Sequence, residues 1–194
     1  NDFTVGGGDV TQTLDTPSNN FCTMNPLDTY NSPTITDGNT TINAGASDRS
    51  LRSTIGISQG KWYWEVNTTA NNSANMGLIN GVVVLTDGNT LQGTSTNSVI
   101  FEGNGGGVYK NGTLIASYTG GTATYGFAFD LDAGTLKLSK DGVFYNSGSA
   151  VVTGITADTY LPLFAPNGGG SPTEFKANFG NGYFGTTEIV SPEN

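Results

Sequence analysis

The sequence predicts an all-β chain, an antiparallel two-sheet β-sandwich with little helix, on three observations. Residues 60–66 read GKWYWEV, in which Trp62, Trp64 and Val66 alternate with Lys61, Tyr63 and Glu65. Successive strand side chains point to opposite faces, so one face of this run is apolar and the other mixed. Asx-Gly pairs recur at Asp37-Gly38, Asn80-Gly81, Asp87-Gly88, Asn111-Gly112, Asp141-Gly142, Asn167-Gly168 and Asn181-Gly182, and such pairs tolerate the positive φ of tight turns. Finally, 29 glycines in 194 residues, with abundant Asn, Thr and Ser and almost no 3.6-residue periodicity, favour short strands over helices.

In chain order, residues 1–34 read as an irregular lead-in docked on the sandwich. Within it Phe21, Met24 and Leu27 stand at helical spacing, and Pro26 limits any helix to about one turn. The sandwich is expected over 35–185, with a polar tail at 186–194. Trp62 and Trp64 are both expected in its interior, where each aromatic side chain buries roughly 150–250 Å². Val108-Tyr109-Lys110 and Thr113-Leu114-Ile115 flank Asn111-Gly112, while 136–140 and Val143-Phe144-Tyr145 flank Asp141-Gly142; both pairs predict β-hairpins. Between them Tyr125, Phe127, Phe129 and Leu131 alternate with small or polar residues and predict another buried strand. Sheets with one oily face must cover it, and with helix scarce the cover is a second sheet.

One domain suffices at this length, since such a chain buries roughly 70% of its unfolded surface. The net charge of −9 with only 7 Lys+Arg opposes a phosphate backbone or an anionic membrane surface, so this acidic protein is expected to have no nucleic-acid partner. No apolar run approaches the roughly 18 residues of a spanning helix, so no membrane insertion is expected. Cys22 is the single cysteine; it makes no internal disulfide and reads as a small buried hydrophobe. The chain opens at Asn1 and closes on Ser-Pro-Glu-Asn, which reads as an excerpt of a longer polypeptide.

Catalysis is disfavoured by inventory. With no histidine and one cysteine, the usual triads, neutral-pH general bases and zinc sites lack their residues. A glycosidase sets two carboxyl groups about 5–9.5 Å apart, and the Asp130-x-Asp132 pair is not followed by the further acid that a sandwich glycosidase motif carries. Asp132 is expected to cap the turn at Ala133-Gly134 while Asp130 faces solvent. Glu65 and Glu102, beside apolar strand residues, read as edge or face charges rather than catalytic acids. Gly105-Gly106-Gly107 has neither the Lys-Ser/Thr nor the helix start of a phosphate loop and reads as a loop or bulge. No enzyme activity, cofactor or metal is therefore expected.

Binding is the class that survives. The polar loops 37–41, 67–75 and 86–97 carry amides, carboxylates and hydroxyls that donate and accept hydrogen bonds. Asp37, Asn39, Asn71, Asn72, Asn75, Asp87 and Asn89 are the candidate ligand-binding residues within them.

RSTIGISQGKWYWEV at 52–66, YGFAFDLDAGTLKLSKDG at 125–142, YLPLF at 160–164 and FKANFG at 175–180, taken in order, resemble the SPRY domain over residues 35–182. The resemblance implies a bent, concanavalin A-like sandwich that binds other proteins through loops at one edge and has no catalytic activity of its own. The Gly-, Asn- and Thr-rich composition and the lead-in NNFCTMNPL look similar to SPRY-bearing structural proteins of phages and environmental viruses. That likeness implies a virion or extracellular location, in a fibre, tail or decoration protein that binds a protein partner or cell-surface receptor for host recognition, with a homo-oligomer within the virion as a further partner. Two other readings stay open: a lectin-like module that binds a glycan on the same sandwich, and a structural capsid or fibre spacer. Tyr30, Tyr109 or Tyr118 lying flat beside Asn or Asp in a groove would favour the glycan.

Overall fold

Period-2 alternation in the aromatic strands sets the architecture. A computed structural model describes residues 20–45, 47–69, 74–166, 174–184 and 187–188. One sheet has the order β1 (Met24–Tyr30), β4 (Ser50–Ser53), β13 (Tyr160–Pro166), β6 (Ala74–Asn80), β7 (Ser98–Glu102), β8 (Gly107–Lys110) and β9 (Thr113–Ser117). The second has the order β12 (Val143–Phe144), β11 (Thr135–Lys140), β10 (Thr124–Asp130), β5 (Lys61–Thr68), β14 (Glu174–Asn178), β3 (Thr41–Asn43) and β2 (Thr34–Thr36). A separate small hairpin joins β15 (Tyr183–Phe184) to β16 (Thr187–Glu188), and the pairings are antiparallel throughout.

The two inner faces meet in one core. From the second sheet come Trp64, Val66, Tyr125, Phe127, Phe129, Leu138 and Phe175; from the first come Met24, Leu51, Met76, Leu78, Phe101 and Phe164. Trp64 stacks on Phe127 at 5.6 Å between ring centroids and on Phe129 at 5.2 Å, with interplanar angles of 11° and 13°. Offset stacks of this kind add about 0.5–1.5 kcal/mol each beyond the area they bury.

Both expected hairpins form. Lys110 pairs with Thr113 across Asn111-Gly112, whose φ values are 51° and 77°, and Lys140 pairs with Val143 across Asp141-Gly142, at 49° and 78°. Two central residues with positive φ are the turn geometry that follows the right-handed strand twist. Asp37-Gly38 begins the connection from β2 to β3, whereas Asp87-Gly88 starts a helix instead of joining strands. Asn167-Gly168 lies outside the described residues.

A third layer, absent from the sequence expectation, covers part of the first sheet's outer face. The connection from β6 to β7 folds back as α1 (Gly88–Thr94) and sets Leu91 on Ile79, Ile100, Leu163 and Ala165. Arg52 locks this layer in place. Its Nε and Nη2 donate to the two oxygens of Asp28 at 2.7 and 2.8 Å, and Nη1 donates to the carbonyls of Asn80, Gly81 and Val83. One guanidinium thus ties the edge strand β1 through β4 to the connection leading into α1, with its donors paired in their planar fork.

Four expectations change. Trp62 is 44% exposed, against 3% for Trp64, so only the second tryptophan is core. Phe21, Met24 and Leu27 form no helical turn: Met24 to Tyr30 is an edge strand with a bulge between Met24 and Thr29, and Leu27 is exposed. Pro26 fits there because an edge strand leaves some backbone N–H positions without a ladder partner. Asp130, not Asp132, caps the turn by accepting from Ala133 N–H at 2.9 Å, while Asp132 accepts from Gly60 N–H at 2.8 Å. Glu65 is buried rather than a surface charge; its oxygens accept from Tyr63 Oη at 3.0 Å and Asn178 Nδ2 at 3.1 Å.

Removing one partner of a buried ion pair costs about 3–5 kcal/mol. Arg52→Leu is expected to lower unfolding free energy by about 3 kcal/mol, the low end, because about a third of the Asp28 side chain remains in water. Urea unfolding measures this as a fall in midpoint at constant slope, and an unchanged midpoint would refute the clamp.

Candidate functional site

A groove opens where the neighbours of β5 part. β10 follows β5 down to Lys61, but β14 pairs with it only from Glu65 to Thr68. The aromatic first half of β5 therefore runs past the β14 ladder, beside a groove of about 280 Å³. Ile55 and Ile57 from the approach to β5, Pro162 from β13, Phe179 just after β14, and Trp62 and Trp64 line it. Asn20, Phe21 and Cys22 of the lead-in border it, as does Tyr63.

Local hydrogen bonds hold the exposed ring of this groove in place. Gly60 has a φ of +83°, which favours glycine, and its N–H is fixed by Asp132. The turn so formed brings the Gln59 carbonyl to Trp62, whose Nε1 donates to it at 2.7 Å. The indole is thereby oriented before any ligand arrives, which reduces the ordering cost of binding. Among the described residues no carboxylate or amine lines the groove, which offers apolar contact and hydrogen bonds. Among the described residues no group of three or more His, Cys, Asp and Glu could hold a metal ion, and no helix is long and apolar enough to cross a membrane.

The residues singled out in the polar loops lie elsewhere. Asp37 and Asn39 are half-buried in the connection from β2 to β3, where the Asn39 carbonyl accepts from Met24 N–H at 2.8 Å. Asp87 is the N-cap of α1: Oδ1 accepts from Thr90 N–H at 2.9 Å and Oδ2 from Thr90 Oγ1 at 2.7 Å. These bonds, led by the Thr90 N–H, hold the Asp87 carboxyl below the ordinary carboxylate range. Asn89 follows, exposed, in the first turn. Asn75 is fully buried in β6 next to Gly88, and neither of its amide atoms has a hydrogen-bond partner among the described residues. Asn75, Asp87 and Asn89 thus gather at one end of α1 while Asp37 and Asn39 belong to the other sheet; Asn71 and Asn72 lie outside the described residues.

Two of the three tyrosines named as possible sugar platforms are committed to packing, and the third is half-buried. Tyr118 stacks on Tyr145 at 4.7 Å, Tyr109 packs on the cluster beneath α1, and Tyr30 is half-buried in β1. Burial pushes the Tyr145 hydroxyl up to about 12, with Asp141 adding to the effect. Sequence reasoning assigned Trp62 to the core and did not single out Ile55 or Phe179. The available signal was position: Trp62 is the second residue of its strand, directly after a Gln-Gly turn, where alternation indicates a direction but not what covers it.

No protein-family model matches the chain, and no curated protein matches it in sequence. Solved structures do. The chain is similar to the SPRY domain of human HERC1, at 14% identity and a TM-score of 0.64, covering 87% of this chain and 99% of that one. It is similar also to the TRIM65 PSpry domain, at 14% identity and a TM-score of 0.62, over 82% of this chain and 92% of that one. A third likeness, to stonustoxin, has 19% identity and a TM-score of 0.58, over 81% of this chain but 27% of the toxin chain. The fold is a SPRY-type sandwich.

Asp87 supplies a pH test of the capping role. A carboxyl with a folded pKa below its unfolded value of about 3.9 contributes stability above that pH and loses it as pH falls through the folded pKa. Asp87→Ala is expected to cost about 1 kcal/mol at pH 7. Urea unfolding of both proteins should show that gap shrinking below about pH 3.9; a gap of equal size at pH 7 and pH 2.5 would refute it.

Proposed function

We propose that this chain is a non-catalytic protein-interaction module whose groove along β5 seats an apolar anchor from a partner protein. The observation that carries the reading is Trp62: a large aromatic ring, 44% exposed, held by Gln59 and surrounded by Ile55, Ile57, Pro162 and Phe179. Exposed apolar surface collected in one concavity and rimmed by polar residues marks interaction sites, and buried aromatic anchors dominate their energetics. Support for a role without catalysis comes from the residue inventory, with no histidine and one cysteine in the chain. The SPRY-type fold and the protein binding implied by the SPRY resemblance point the same way.

The finer form of the proposal places the module on a virion fibre, tail or decoration protein, outside the cell, with a host-surface protein or a neighbouring virion subunit as the partner. Its support is compositional: a Gly-, Asn- and Thr-rich chain with few cations.

Selection from a displayed random-peptide library tests the groove. Peptides with one or two large apolar residues are expected to enrich, and Trp62→Ala should weaken them by at least 2 kcal/mol, about thirtyfold in Kd. Ile55→Asp should also abolish capture while circular dichroism and urea midpoint stay near those of the parent. If nothing enriches, or if the enriched peptides bind both variants as they bind the parent, the groove is not the interaction site.

A further inference from the structure

The solvent face of the second sheet carries a second depression, of about 370 Å³, over β5, β10 and β11. From its residues we infer a binding site for an acidic saccharide, a sugar bearing a carboxylate or sulfate group, which adjoins the apolar groove and shares Trp62 and Tyr63 with it but is otherwise built from Lys61, β10 and β11.

Strand register builds the hollow. Tyr63, Ala128 and Lys137 lie side by side across β5, β10 and β11, and the row below them is Lys61, Asp130 and Thr135. The small Ala128 leaves a floor between the ring of Tyr63 on one side and the stem of Lys137 on the other. In the row above stands Gly126, where a Cβ would come 2.5 Å from Tyr63 Oη and 3.1 Å from its Cε2. Only glycine at that position lets the tyrosine fold down along the sheet instead of standing off it. Its hydroxyl is then secured by the buried Glu65, which Asn178 holds in turn. The result is an aromatic surface, 37% exposed, fixed by a buried hydrogen-bonded support and facing polar side chains across a shallow floor.

The chemistry fits a sugar. A pyranose offers an apolar C–H face to an aromatic ring and hydroxyls at its edge, and Asp130, Thr135 and the two lysines supply acceptors and donors at that edge. Charge selects the acidic kind. The chain as a whole carries −9 with 7 Lys+Arg, yet this hollow has two lysines to one aspartate. Lys61 is paired with Asp130 at 3.5 Å, while exposed Lys137 makes no ion pair among the described residues. A carboxylate or sulfate beside Lys137 meets a local positive charge on an otherwise acidic surface.

Isothermal titration with a galacturonate hexamer, and with an uncharged cellohexaose as control, tests the assignment. The acidic oligosaccharide is expected to bind at least tenfold more tightly than the neutral one, with binding weakened at high salt. Lys137→Ala, a surface change, should reduce affinity at least tenfold, and so should Tyr63→Leu. Because Tyr63 also packs on Gly126, the lysine variant decides if the tyrosine variant fails to fold. Ile55→Asp, which disables the apolar groove, should leave saccharide binding unchanged, so failure of one site is distinguishable from failure of the other. Absence of binding at millimolar hexamer, equal binding of the neutral sugar, or binding indifferent to Lys137→Ala would each overturn the inference.

Discussion

The stack of Trp64 on Phe127 and Phe129 is the contact on which the rest of the molecule depends. It lies across the pair β5 and β10 at the centre of the second sheet and fixes their register. Strand side chains have a period of two, so a slip of one residue would turn the indole to solvent and bring Lys61, Tyr63 and Glu65 into the core. That cost makes the register unique. With Trp64 inward, Tyr63 must face outward, and the apolar groove and the polar hollow adjoin along a single strand segment, sharing Trp62 and Tyr63.

The first sheet needs a different kind of anchor. Its inner face is covered by the second sheet, but its outer face presents Ile79, Ile100 and Leu163, which among the described residues the β6–β7 connection covers. A seven-residue helix is too short to hold itself together in water. Its apolar contact through Leu91, its cap at Asp87 and the anchoring of its approach by Arg52 together keep it in place. This explains why the polar loop residues at 87–89 serve folding: the Asp-Gly pair that suits a hairpin suits a helix start equally well, since Asp accepts N–H bonds in both settings.

Polar residues divide by whether their partners are local. Asn111 and Asp141 obey turn chemistry written in the next residue, and both hairpins were legible for that reason. The turn cap passed from Asp132 to Asp130 because Asp132 is engaged by Gly60, 72 residues away in sequence. Glu65 likewise seemed a surface charge until Asn178, 113 residues on, closed over it. Asn75, drawn from a polar loop in the sequence, sits in a central strand because β6 begins at Ala74.

The sequence alone determined the all-β class, the inward aromatic face of β10, the inward Trp64 and the two tight hairpins, because each follows from alternation or from turn residues a few positions apart. It determined also the absence of histidine and the single cysteine, which are a matter of inventory. Only the tertiary structure decided which strand ends are covered. Trp62 and Trp64 share a face by alternation, yet β14 stops pairing with β5 at Glu65 and leaves the first of them half in water. Exposure is a property of neighbours brought in from distant parts of the chain, and the candidate sites lie where those neighbours are missing.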